Sequence, residues 1–382
     1  MPPILPGATI GVVGGGQLGR MFVVEARRMG YRTLVLDPDA DAPAAQVADE
    51  QVRAPLDDRE AARELARRSH VVTLEWENAD VATLRELAGI VPVRPGAHVL
   101  EVCQHRVREK DAVRALGIGT AEYRAVSSSE DLRRALGEIG TPAVLKTARG
   151  GYDGKGQAVI RSADEAEAAY ASLGGDGREL ILEGMVRFRM EVSVVCARSP
   201  DGEVSAFPVS ENLHRNGILD TSVVPAPISP ALADQARRVA EALAEGLRVE
   251  GLLAVEMFVT EDDRLLVNEL APRPHNSGHY TLDACAVSQF EQQLRAVCGL
   301  PLGSTELLRP AAMVNLLGED GGTCLGDERV ARALGVPTAA LHLYGKAEAR
   351  PGRKMGHLTA LGGDAQEALG RARAARRILR GG

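Results

Sequence analysis

Leu252-Leu-Ala-Val-Glu256-Met-Phe-Val-Thr260-Glu-Asp-Asp-Arg-Leu265-Leu-Val-Asn268-Glu269-Leu-Ala271 reads as two apolar strands, 252–260 and 265–270, folded back at Asp262-Asp263. A turn there sets Glu256 and Glu269 opposite each other, with Cβ atoms about 4.5–5.5 Å apart. Val255, Met257, Val267 and Leu270 beside them are apolar, so the strands read as buried. Like charges facing each other in a core repel. A divalent cation between them removes the conflict, and hard carboxylates suit Mg²⁺ with phosphate oxygens completing its shell. The alternative is a longer loop that shifts the register and turns one Glu to solvent.

Directly downstream, Pro272-Arg-Pro-His275-Asn-Ser-Gly-His279 brings Arg273 and His275 within one short loop of that pair. A Pro-rich turn with surface polar groups explains the same residues. Upstream, Lys146-Thr-Ala-Arg-Gly150-Gly-Tyr-Asp-Gly-Lys155-Gly-Gln157 is glycine-rich. Its backbone N–H groups are free to approach an anion, and Lys155 adds charge. No Ser or Thr follows the Lys, so it is not a P-loop. It joins two β segments, 143–146 and 157–161, which suits a flap closing over a triphosphate. An ordinary glycine-rich hairpin is the plainer reading.

The first hundred residues alternate as a doubly wound α/β unit. Strand Thr9–Val13 leads into Gly14-x-Gly16-x-x-Gly19. Helix 20–29, strand 33–36 ending at Asp37, helix 58–68 and strand 71–74 follow. The glycines fit a dinucleotide fingerprint, but they equally serve a tight nucleotide-free turn, and nothing downstream looks like hydride chemistry. Glu75-Trp-Glu77-Asn78 closes the third strand at the carboxyl edge, where such sheets bind ligands.

The middle of the chain is α+β, with helices at 107–116, 130–137, 163–173 and 283–298. Another runs from Ser229-Pro230 to Gly246, and strands fall at 179–183, 190–197 and 203–209. The last eighty residues hold strands 313–317 and 340–344 and an Arg-rich helix. We expect domains at 1–105, 106–300 (with a lid around 120–187) and 301–382. Arg350-Pro-Gly-Arg353-Lys354 places three cations around a tight turn, fitting a phosphomonoester clamp or a solvated charged loop.

The chain has five lysines against forty arginines. Lys is a compact point charge, Arg a planar fork. Lys146, Lys155, Lys346 and Lys354 lie in the motifs above, and a Lys kept against the bias points to phosphate nearby. Lys110 reads as part of a charged helical stretch elsewhere. The net charge of −7 argues against nucleic acid or an anionic membrane as partner. Five scattered cysteines without C-x-x-C spacing argue against a disulfide framework and fit a reducing cytoplasm. Neither a signal peptide nor a membrane-spanning run is expected.

A Lys-ending strand, a glycine-rich flap, the segment Leu182-Glu-Gly-Met-Val186 and the carboxylate hairpin together resemble the ATP-grasp superfamily. Gly14–Met21, Gly150–Gln157, Asn268–His279 and Arg350–His357, in that order, are similar to the N5-carboxyaminoimidazole ribonucleotide synthetases of purine biosynthesis. The resemblance spans Ile10 to about Thr359. It implies an ATP-grasp fold between a doubly wound pre-ATP-grasp domain and a small β-rich C-terminal domain. It also implies ATP-driven carboxylation of 5-aminoimidazole ribonucleotide by bicarbonate through carboxyphosphate, in a cytoplasmic homodimer.

The resemblance assigns ATP to Arg106, Lys146, Gly151, Tyr152, Asp153, Gly154, Lys155, Gly156, Gln157, Glu183, Gly184, Met185, Val186, Glu191, His214, Asn268 and Glu269. Glu256 and Glu269 carry Mg²⁺. Tyr152, Asp153, Lys155, Arg273 and His275 surround the reacting centre. Gln17, Glu75, Asn276, Lys346, Arg353 and Lys354 take the ribonucleotide. Ala271 stands where many superfamily members place a third metal ligand, Asn, so the phosphates and water carry more of the metal's shell. Three rivals remain. A formate-dependent glycinamide ribonucleotide transformylase shares Pro-Arg-Pro-His. A NAD-dependent dehydrogenase would use the N-terminal fingerprint, and a non-catalytic nucleotide-binding regulator is the third.

Overall fold

The computed structural model describes residues 2–151, 155–320 and 328–381. Strands Thr9–Val13, Arg32–Leu36, Glu50–Val52 and Val71–Leu74 form a parallel sheet, with Thr9–Val13 between Arg32–Leu36 and Val71–Leu74. Three of its strands are almost wholly buried, as apolar runs covered on both faces must be, and the edge strand Glu50–Val52 is more exposed.

A nine-stranded sheet forms the body of the molecule. The hairpin Gly251–Thr260/Leu265–Ala271 lies at one edge and pairs with the long strand Phe188–Arg198. Helix Pro230–Gly246 packs beneath, started by Ser229, whose Oγ accepts from Leu232 N at 3.3 Å, with Pro at the first position. Tyr123–Val126, Leu180–Gly184, Ala143–Thr147 and Gln157–Ile160, within the segment expected as a lid, form a separate antiparallel sheet.

Several expected elements differ. Segment 203–209 is a strand only over Val204–Ala206, and Ser210–Arg215 and Ile218–Val224 form two further strands. The expected helix 283–298 is broken into Thr281–Ala284 and Gln289–Cys298. Cys285 is extended, and Ser288 starts the second piece as a cap, its Oγ accepting from Glu291 N at 3.1 Å. The Arg350–His357 block is half strand, because Lys354–Leu361 pairs with Ala311–Leu317 and Ala340–Leu343. Ala311–Leu317 in turn pairs with Ile218–Val224, so the C-terminal strands continue the central sheet instead of making their own.

One apolar cluster joins all three parts of the chain. Ile10, Phe22 and Val35 pack with Phe290, Leu294 and Val297, and with Tyr344 from the C-terminal region. Arg94 is buried and donates to Glu250 at 2.6 Å and to Val297 O at 2.7 Å. Gln293 bridges Thr73 Oγ1 at 3.0 Å and Leu252 N at 2.7 Å. These contacts hold the carboxyl edge of the parallel sheet against the hairpin.

Candidate active site

Glu256 and Glu269 are cross-strand partners, as expected, but the register arises differently. From the turn outward Val259 pairs with Leu265, Phe258 with Leu266 and Met257 with Val267. That register continued would put Asn268 opposite Glu256. A bulge at Asn268 inserts one extra residue and brings Glu269 into place. Nor are the two carboxylates in a core: Glu256 is half-buried and Glu269 exposed, so they face an open cleft. Burial first, and then the charge of Glu269, push the Glu256 carboxyl up to about 7. Glu109 joins from helix Arg106–Ala115, accepting from Leu270 N at 3.0 Å, and burial with Glu269 pushes it up to about 8. Among the described residues no group of three or more His, Cys, Asp or Glu side chains is gathered to hold a metal. The fit is to a hard cation held by two carboxylates, with phosphate and water filling the rest.

Lys110 is not elsewhere. It is buried beside Lys146, and the two share Glu183 at 3.6 and 3.0 Å. Lys110 also donates to Thr120 Oγ1 at 3.1 Å and to the bulge carbonyl of Asn268 at 3.4 Å. Burial pulls the Lys110 ammonium below its ordinary value, against the pull of Glu183. Glu183 Oε1 is buried without a hydrogen-bond partner, which leaves an acceptor for an incoming donor. Next along, Gly184 is tied to Glu122 O at 2.8 Å, Met185 is exposed and Val186 half-buried. Glu191 lies 2.6 Å from His214 Nδ1 on neighbouring strands. Burial works against the imidazolium, but Glu191 and then Glu256 outweigh it and raise the His214 pKa.

The flap is anchored at its base. Arg106 donates to Thr147 O at 2.9 Å, Gly150 O at 2.5 Å and Gly151 O at 3.0 Å. Its guanidinium is therefore largely engaged by backbone. Gly151 has φ +80°, and a Cβ there would lie 2.6 Å from Lys155 O, so the two limbs close on each other. Lys155 and Gln157 are exposed and Gly156 is half-buried. Tyr152, Asp153 and Gly154 lie outside the described residues.

Arg273 is bidentate to Glu77, with Nη2 2.8 Å from Oε1. His275 Nε2 lies 3.4 Å from Glu256 Oε1, and burial followed by the charge of Arg273 pushes its pKa well below the ordinary range. Asn276 is buried with neither end of its amide satisfied, an unusual cost unless something polar binds there. From the C-terminal side, Lys346 donates to Lys354 O at 2.9 Å, and burial and Arg353 push it down to about 8. Arg353 donates to Glu348 O at 2.7 Å. The charge of Lys354 is felt at Glu77, Glu256 and His275, which sets the clamp against the hairpin.

Gln17 begins helix Gln17–Arg28 at the N-terminal turn. Glu75 fills that turn from inside: its carboxylate accepts from Gly16 N at 2.7 Å and Gly19 N at 2.9 Å. Asp37 accepts from Gly15 N at 2.7 Å. The cradle that would hold a dinucleotide pyrophosphate is occupied by the chain's own carboxylate. That removes the physical basis for the dehydrogenase reading, and the charge of Glu75 also reaches Lys346 from the C-terminal side. Trp76 is exposed and lines an open cleft of about 670 Å³ with Asn78, Gln104 and Arg149.

Sequence reasoning missed Glu77, Glu109 and Lys110. For Lys110 the signal was present, since it too is a Lys kept among arginines.

A lid sheet and a carboxylate hairpin enclosing a lysine-lined cleft define the ATP-grasp ligases, and the ATP-grasp domain family matches residues 111–290. The ribonucleotide synthetase preATP-grasp domain matches residues 7–104, and the phosphoribosylaminoimidazole carboxylase C-terminal domain matches 311–371. The N5-carboxyaminoimidazole ribonucleotide synthase of Bacillus subtilis (strain 168) is 50% identical over 356 residues, covering 93% of this chain and 92% of that protein. The enzyme of the same name from Brucella melitensis is 49% identical over 354 residues, covering 93% and 96%. A crystal structure of an N5-carboxyaminoimidazole ribonucleotide synthetase with ADP superposes with a TM-score of 0.92 at 48% identity, covering 99% and 98% of the two chains. The Aspergillus clavatus enzyme in complex with ADP and 5-aminoimidazole ribonucleotide gives 0.89 at 34% identity, covering 97% and 98%. The chain belongs to the N5-carboxyaminoimidazole ribonucleotide synthase family.

Proposed function

We infer that this enzyme uses ATP and bicarbonate to carboxylate the exocyclic amine of 5-aminoimidazole ribonucleotide in purine biosynthesis, releasing ADP and phosphate. A bicarbonate oxygen attacks the γ-phosphorus and ADP leaves, giving carboxyphosphate. The amine then attacks the carboxyl carbon, the C–O bond to phosphate breaks, and the amine loses a proton. The observation that carries this reading is the convergence on one cleft of the flap lysine side, the Glu256–Glu269 pair and the Lys346–Lys354 clamp.

Phosphoryl transfer mainly needs positioning and neutralisation of charge. Lys146 and the flap from Gly151 to Gln157 cover the nucleotide phosphates, while Arg106 holds the flap base. Glu183 to Val186 receive the adenine, and Glu191 and His214 the ribose. Glu256 and Glu269 would hold Mg²⁺ beside Asn268, and the ion would neutralise phosphate charge when bound. Arg273, His275 and Asn276 face the reacting carboxyl with Lys155, Tyr152 and Asp153. Lys346, Arg353 and Lys354 grip the ribonucleotide phosphate, approached by Gln17 and Glu75. Flap closure shields carboxyphosphate from water.

The domain limits of 1–105, 106–300 and 301–382, a homodimer and a cytoplasmic setting belong to the same proposal. No helix among the described residues is long and apolar enough to cross a membrane. Phosphate release that requires both the ribonucleotide and bicarbonate supports the assignment. Release driven instead by formate and glycinamide ribonucleotide would replace it with the transformylase.

A further inference from the structure

A buried chain of hydroxyl and amide groups runs from the central sheet to His275. Ser222 Oγ donates to Asn212 Oδ1 at 2.8 Å, and Asn212 Nδ2 donates to Ser193 Oγ at 2.8 Å. Ser193 Oγ donates to Ser277 Oγ at 2.7 Å. Ser277 Oγ lies 2.8 Å from His275 Nδ1, and Ser277 N donates to that same nitrogen at 3.3 Å. Ser193, Asn212, Ser222 and Ser277 are all buried. Ser210 stands beside the chain, its Oγ 3.0 Å from Ser193 Oγ.

The Ser277 backbone N–H, whose direction the chain geometry fixes, sets the direction at His275 Nδ1. A serine hydroxyl has one proton to give. Ser277 receives the Ser193 proton, and among the described residues its own finds no acceptor other than His275 Nδ1. The Ser277 backbone N–H points at the same atom. A ring nitrogen facing two donors must be the bare, accepting one, so the proton of a neutral ring sits on Nε2. Nε2 is the atom on the Glu256 side of the cleft. The remaining lone pair is sealed inside the sheet.

We propose that Ser277, backed by Ser193 and Asn212, is a positioning residue that holds His275 as the Nε2–H tautomer. His275 thus enters the reaction as a hydrogen-bond donor to oxygen and not as the base that takes the amine proton. The role at the reacting carboxyl rests on the ligase reading above; the tautomer does not.

Ring-¹⁵N histidine NMR tests it on the whole enzyme. The chain has eight histidines, and His275→Gln identifies the signals that belong to position 275. Wild type is expected to show a protonated Nε2 and a bare Nδ1; a protonated Nδ1 overturns the proposal. Ser277→Ala is expected to populate the Nδ1–H form and lower kcat about tenfold, with KM for ATP and ribonucleotide within about twofold. An unchanged tautomer and kcat would overturn it. Gln carries an N–H donor near the Nε2 position but no basic lone pair. His275→Gln should therefore lose no more than about tenfold in kcat, against about a hundredfold for His275→Ala. Equal losses favour the base and sink the proposal, and this arm stands even where Ser277→Ala fails to fold. Wild-type enzyme without bicarbonate-dependent turnover defeats the ligase reading alone, because the NMR result is read without activity.

Discussion

The molecule contains two glycine-rich turns that look alike in sequence and behave differently in structure. At Gly14–Gly19 the backbone N–H groups are already satisfied by Glu75 and Asp37. At the base of Gly150–Gly156 the carbonyls of Gly150 and Gly151 accept from Arg106 and that of Gly156 from Thr147 N, while Lys155 is exposed on the outer limb. Glycine supplies close backbone approach in both. What approaches is decided in one case by Asp37 and Glu75, 22 and 59 positions away, and in the other, on the proposed reading, by a ligand. A glycine motif therefore announces an anion site, and the rest of the chain determines whether the anion is internal.

The contrast can be broken by experiment. The largest effect is expected at the open side. Glu269→Gln should lower kcat by about 10³-fold, since it removes charge needed at the phosphates, while leaving the unfolding midpoint near wild type. Near-normal turnover would mean that the bulge at Asn268 does not serve the reaction. The closed turn should respond in stability. A Cβ on Gly16 would lie 2.5 Å from Glu75 Oε1. Gly16→Ala is therefore expected to cost about 2 kcal/mol in urea unfolding. If it instead abolished ATP-dependent turnover without loss of stability, the turn would be a ligand site after all.

A smaller effect is expected at the far anionic end. Lys354→Ala should raise KM for the ribonucleotide about tenfold, the scale of one charge-assisted contact, with KM for ATP unchanged. Loss of ATP affinity in that variant would place Lys354 on the wrong substrate. The smallest effect concerns pH. The folded Glu256 carboxyl, near 7, lies above its ordinary 4.5. The native state thus holds a proton that the unfolded chain has released. Stability of the metal-free protein should fall as pH rises from about 4.5 towards 7. Glu256→Gln should flatten that slope in thermal unfolding, and added Mg²⁺ should flatten it in wild type only.

Much of this was legible in the sequence, for physical reasons. The alternation of the first seventy residues and the Ser229-Pro230 start are local signals, and local rules govern them. The Glu256–Glu269 pairing was reached through a turn geometry that is off by one, and the bulge at Asn268 compensated. Strand Lys354–Leu361 was hidden because it is buried on both faces and shows no alternation. The pairs Arg273–Glu77, Leu270–Glu109 and Lys110–Glu183 join residues 196, 161 and 73 positions apart, which no local pattern reports. Tyr152, Asp153 and Gly154 lie outside the described residues, so for them the sequence reading stands alone.

Four of the five lysines belong to the proposed nucleotide and ribonucleotide sites, and the remaining positively charged side chains are arginines. Amine-directed chemistry on this protein is therefore site-directed chemistry. Acylation, reductive methylation or coupling to an activated resin meets five lysine side chains, of which Lys110 is buried and Lys155 exposed. Nucleotide and ribonucleotide should each protect their own share, giving a map of occupancy that an ordinary lysine-rich surface would obscure.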